Sequence, residues 1–148
     1  MNITKIRQTD ISVTISYAES FSEECINKGA MTSRDMPRPE FSEAMRALRP
    51  VFRNICEFTH DEASNYIVNE ISFYSTNTGK KSAAITASRI MKVGKPLEIT
   101  TPQRLIDTDG EDAWMMLDPN DVLAIEAIKN EAQRYLNHER EQQELPIN

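Results

Sequence analysis

MPRPEFSEAMRALRPVFRNICEF, residues 36–58, fixes the reading of the chain. Phe41, Ala44, Met45, Leu48, Val51, Phe52 and Ile55 recur at intervals of three and four, so they share one face of a helix. Pro37 and Pro39 mark its start, where proline is well tolerated. Pro50 falls inside the pattern and removes one backbone donor, which predicts a kink or a split there with helical geometry on both sides.

On either side of this helix the period changes to two. Ile11, Val13, Ile15 and Tyr17 alternate with Ser12, Thr14 and Ser16, the signature of a strand with one wet face. Ile3 to Gln8 reads as a short strand candidate, and Cys25 to Met31 as a return strand after the polar residues that follow Tyr17. Downstream, Ile67, Ile71 and Phe73 are assigned to one strand face. Thr76, Asn77, Thr78, Gly79 and Lys80 then form a turn cluster, and Ala83, Ile85 and Ala87 the second arm of a hairpin. Gly94 and Pro96 break the chain before Leu97, Ile99 and Thr101, and residues 102–118 read as an acidic loop. A second helix opens with Asp118 as cap, Pro119 at its first position and Asp121 in its first turn. Its stripe is Val122, Ile125, Ile128, Ala132, Tyr135 and Leu136, and it is expected to run to about residue 141. Strands, helix, strands, helix predict an α+β fold: an antiparallel sheet of about five to six strands with two amphipathic helices packed on it. Residues 1–141 are expected to form one domain and 142–148 a disordered tail.

A chain of 148 residues matches the usual length of one domain and buries enough surface to need no covalent staples. No apolar run approaches the ~20 residues of a membrane span, and the first ten residues lack a signal-peptide core. These point to the cytoplasm, with Cys25 and Cys56 reduced. Net charge is −6, divided as +2 over residues 1–97 and −8 over residues 98–148. The acidic final third disfavours nucleic acid and favours basic partners, although charge runs are more often simply solvated.

Candidate sites follow from residue type and spacing. Arg46, Arg49 and Arg53 form a basic stripe on the first helix that could fork onto phosphates; the plainer alternative is a solvated face. Phe73 and Tyr74 are the aromatic residues that could join them against a nucleotide base. Trp114, Met115, Met116 and Leu117 suit either an adaptable partner-binding surface or a plug in the core. Asp107, Asp109, Glu111 and Asp112 fail the spacing of a calcium loop, because the glycine and the twelfth residue are misplaced. Cys56 and His60, four apart, could form a nucleophile pair, but a structural thiol is the more economical reading. No phosphate-cradling glycine loop, zinc spacing or dinucleotide fingerprint is present, so no cofactor is expected. In the tail, Gln142, Leu145 and Ile147 partly match peptides that dock on bacterial sliding clamps, with Ile147 where an aromatic residue is usual.

The stretches ITKIRQTDISVTISY (3–17), MPRPEFSEAMRAL (36–48), NEISFYS (69–75) and the final helix (119–141) resemble a family of small accessory proteins of tailed bacteriophages and prophages. That family often ends in a clamp-box-like peptide, from which Ile147 departs. The resemblance implies a host-cell cytoplasmic setting and a non-enzymatic accessory role. The protein would bind a host or viral protein, either to interfere with host defence or to attach to replication machinery such as a sliding clamp. The alternative is a small-molecule binder that sequesters a nucleotide signal. Pairing of two copies through a strand edge or the second helix is compatible with either reading.

Overall fold

The computed structural model describes residues 2–22, 25–75, 80–107 and 116–138, with only the backbone of 20–22, 25 and 107. Three strands come first: β1 (Asn2–Gln8), β2 (Val13–Ser22) and β3 (Cys25–Ser33). Two helical segments follow, α1 (Pro39–Arg46) and α2 (Leu48–Ile55), and a 3-10 turn at Ala63–Asn65. Four strands, β4 (Tyr66–Ser75), β5 (Lys81–Arg89), β6 (Leu97–Thr100) and β7 (Arg104–Asp107), precede α3 (Pro119–Leu136). The fold is α+β. The strands pair antiparallel in the order β3-β2-β1-β4-β5-β6, and β7 pairs with the first part of β5.

A row of apolar side chains crosses the sheet: Met31, Ile15, Ile6, Ile71 and Ile85 are register partners on successive strands. The four isoleucines are fully buried. The helices cover this face. All seven apolar residues of the first amphipathic stretch are buried, as are Ile125, Ile128, Ala132 and Tyr135 of α3. The opposite face is polar and small-chained. Thr14 and Thr32, and Thr86 and Thr100, share hydroxyl hydrogen bonds of 2.9 Å across strands. Lys5 and Arg7 flank Glu70 there, at 4.0 and 3.5 Å.

Four local expectations change. α1 and α2 are the halves of one bent helix, and the break lies at Ala47, ahead of Pro50. Pro50 cannot donate to the carbonyl four residues back, that of Arg46, and its ring crowds that oxygen, so the ladder fails one turn before the proline. Ile67 does not share a face with Ile71. A bulge between Val68 and Glu70 shifts the phase, burying Val68 and Ile71 and leaving Ile67 45 % exposed. The expected loop 102–118 contains β7, which pairs with Lys81, Ser82 and Ala83. Asp118 occupies the cap position of α3, but its side chain makes no capping hydrogen bond.

Candidate functional site

An open cleft of about 550 Å³ lies where α2 ends above the far end of the sheet. Its walls come from three places. Register partners Tyr66 on β4, Arg89 on β5 and Leu97 on β6 form a row on the helix-covered face. The turn after α2 contributes Glu57, Phe58, Thr59, His60 and Asp61, and Ile99 completes the lining.

The turn has a defined cause. Glu57 adopts φ 59°, in the left-handed region. Its amide donates to the carbonyl of Asn54 at 3.2 Å, and the amide of Phe58 donates to that of Arg53 at 3.1 Å. This is the paired 5→2 and 6→1 closure of a Schellman motif. The turn places the Phe58 ring against Phe52 (6.5 Å, edge on) and nearly parallel to Tyr66 (6.1 Å, 16°). Phe52 and Tyr66 are 5.0 Å apart, which completes a three-ring cluster under the cleft.

Asp61 is the polar anchor. Tyr66 Oη donates to its Oδ2 at 2.5 Å and Arg89 Nε to the same oxygen at 3.0 Å. Arg89 Nη2 and Asn65 Nδ2 donate to Oδ1 at 3.2 and 2.7 Å. Four donors stabilise the ionised carboxylate and hold it at about 2, with Tyr66 as the largest cause. Burial, then the hydrogen bond to Asp61, push the Tyr66 phenol up. Both shifts favour the Asp61 carboxylate beside the neutral Tyr66 phenol, an arrangement that orders the loop.

Apolar groups dominate the rim. Phe58 is 37 % exposed and Leu97 52 %. The connection between Arg89 and Leu97, whose other residues are not part of the lining, carries the exposed side chains of Ile90, Met91 and Val93. Arg89 ties that connection down by donating from Nη1 to the Ile90 carbonyl at 2.9 Å. Lys92 and Lys95 lie in the same connection and are exposed.

The residues singled out from sequence are scattered. Arg46 is exposed at the end of α1, Arg49 and Arg53 are half-buried on α2, and none of the three lines the cleft. Phe73 and Tyr74 sit at the opposite end of β4 from Tyr66. Met116 is half-buried and pairs with Leu105 in a short parallel bridge, and Leu117 enters the core. Trp114, Met115, Gln142, Leu145 and Ile147 lie outside the described residues, as do Asp109, Glu111 and Asp112. Cys56 is a half-buried free thiol whose pKa burial pushes up, and it is not among the residues that line the cleft with His60. Among the described residues, no three His, Cys, Asp or Glu side chains converge to hold a metal. No helix of the described residues is long and apolar enough to cross a membrane.

Comparison with protein-family models, with curated proteins and with solved structures returned no match. The functional reading therefore rests on the geometry of this chain.

Proposed function

We propose that this protein is a non-catalytic accessory protein that docks a partner protein on the cleft between Phe58 and Leu97. The observation that carries this reading is the apolar part of the lining of one open concave surface, Phe58, Leu97 and Ile99, with Ile90, Met91 and Val93 exposed in the chain segment that joins the lining residues Arg89 and Leu97. Single exposed apolar residues need no explanation, but a grouped set with aromatic and Met members has the composition of a partner-binding core. The Asp61–Arg89–Tyr66 cluster holds both segments in place before any partner arrives, which lowers the ordering cost of association. Lys92 and Lys95, exposed in the β5–β6 connection, favour a partner segment that carries carboxylates beside its apolar anchor. The resemblance of several stretches to phage accessory proteins is what supports a host or viral protein, in the cytoplasm of an infected cell, as that partner.

The test is capture of partners from host lysate by the full chain and two charge-insertion variants, Leu97→Glu in the rim and Leu123→Glu on the exposed face of α3. Both sites are exposed, so both variants should keep the native circular dichroism spectrum. The proposal expects a captured protein that is lost with Leu97→Glu and kept with Leu123→Glu. Equal capture by both variants, or capture abolished by removing residues 142–148 alone, would move the docking site away from the cleft.

A further inference from the structure

A second concave site arises from a split in the middle of the sheet. β1 and β4 pair only through Lys5↔Ser72, Ile6↔Ile71 and Arg7↔Glu70. Beyond that point a bulge between Ile3 and Lys5 carries β1 away with β2, through Ile3↔Tyr17 and Asn2↔Ala18. β4 continues with β5 instead, through Phe73↔Ala83, Tyr74↔Ser82 and Ser75↔Lys81. The two central strands part and leave a slot of about 250 Å³, lined in part by Ile3, Thr4, Phe73, Tyr74, Lys81 and Lys129. A neighbouring hollow of about 320 Å³, between β7 and α3, shares Lys81, Ile106 and Lys129 with it. The two lysines thus stand where the two spaces meet.

Lys129 projects from α3 with its Nζ 4.8 Å from the centroid of the Phe73 ring. A lysine on an exposed helix can extend its ammonium into water at no cost. This one is half-buried, and burial and then the charge of Lys81 push its pKa down, against a smaller opposing effect of Glu126. Among the described residues no carboxylate lies within ion-pairing distance of either lysine. Contact with the face of Phe73 offsets part of the lost hydration but leaves two like charges beside each other. An anion seated between them would remove that repulsion. Where the strands part, backbone amides and carbonyls on the facing edges of β1 and β4 are no longer committed to each other, and a ligand can use them. Tyr74, 45 % exposed, alternates with Phe73 along β4 and so lines the slot from the other side of the sheet.

We propose that the split between β1 and β4 binds a nucleoside monophosphate, with the phosphate between Lys81 and Lys129 on the helix-covered side and the base in the gap between the strands, which Tyr74 lines from the other side. Two point charges suit a phosphate that needs no forked geometry. The slot is too small for a folded partner, and its mixed polar and apolar lining suits a small molecule. The site is separate from the Phe58–Leu97 cleft and stands or falls independently of it.

The experiment is a nitrogen-15 correlation NMR titration of the full chain with adenosine monophosphate, with adenosine and inorganic phosphate as parallel arms. The proposal expects saturable shifts from adenosine monophosphate at amides of residues 3–4, 72–75, 81–83 and 129. Phosphate should act more weakly at the same amides, and adenosine more weakly still. Lys129→Gln and Lys81→Gln should each weaken binding about tenfold, the size of one lost charged contact. Lys129→Arg should retain binding. Removing Lys129 relieves repulsion in the empty protein, so these variants should fold. Four outcomes would overturn the proposal: no saturable shift with any probe, shifts centred elsewhere, adenosine or phosphate binding as tightly as the monophosphate, or unchanged affinity in Lys129→Gln.

Discussion

Arg89 meets Asp61 with two nitrogens, Nε to Oδ2 at 3.0 Å and Nη2 to Oδ1 at 3.2 Å, and so joins the end of β5 to the loop after α2 across 28 positions of sequence. The contact sets a pH dependence. Asp61 is held at about 2 in the folded protein, against an ordinary value of 3.8. A depressed carboxylate contributes stability that is fully present above its unfolded pKa and is lost as pH falls through the folded one. The window is therefore roughly pH 4 down to 2. Urea unfolding of the native chain and of Asp61→Asn should show the variant less stable at neutral pH, with the gap closing through that window. A gap that stayed constant from neutral to acid pH would show that the carboxylate charge is not what holds the loop.

Glu57 occupies a left-handed position that glycine adopts without strain. A residue with a Cβ loses about 1–2 kcal/mol there, part of which glycine returns as extra freedom in the unfolded chain. With φ at 59° and the Schellman hydrogen bonds intact, Glu57→Gly should raise stability by about 1 kcal/mol, seen as a higher urea midpoint at unchanged slope. Glu57→Ala keeps the Cβ and should gain little. A glycine variant no better than the alanine one would mean that the glutamate side chain offsets its own strain.

Tyr17 lies across Gly29, its register partner on β3. A Cβ at position 29 would meet the ring 2.6–2.8 Å away, closer than real contacts allow. Because the blocking atoms belong to a side chain, the ring can swing aside at the expense of its packing, and Gly29→Ala should destabilise by about 1 kcal/mol. In a Tyr17→Ser background the obstacle is gone, and the same substitution should be neutral or favourable. Additive effects in this double-mutant cycle would refute the steric account.

These relationships mark what the sequence disclosed. The bent helix was legible because its seven apolar residues keep one face on both sides of the break, and all are buried. Strand phase was harder. Ile3 and Ile6, and Val68 and Ile71, are buried at a spacing of three, which period-two reasoning rejects, and a bulge lies between the members of each pair. β7 escaped notice because four residues in an acidic stretch carry too little alternation. The cleft was not legible, since Asp61, Arg89 and Leu97 meet only through long-range pairing. One signal was available: Ile90, Met91, Val93 and Leu97 flank Gly94 and Pro96, and apolar residues beside turn formers have little chance of reaching a core. Phe73 and Tyr74 line the slot between β1 and β4 together with Lys81 and Lys129, whereas Arg46, Arg49 and Arg53 are not among its lining residues.

Arg49 is the middle residue of the arginine stripe on the bent helix. Its Nε is buried and makes no hydrogen bond. A sealed Nε cannot contribute to the forked Nε–Nη contact that makes arginine a strong phosphate ligand. An unsatisfied buried donor also costs about 1–3 kcal/mol. Arg49→Met keeps most of the apolar stem and removes that donor, so stability should hold or rise by about 1 kcal/mol, whereas Arg49→Ala should lose the stem's packing and fall. The methionine variant should also leave the monophosphate titration unchanged. A methionine variant that lost both stability and ligand would show that Arg49 has a charged partner in solution and would support the stripe as the binding surface.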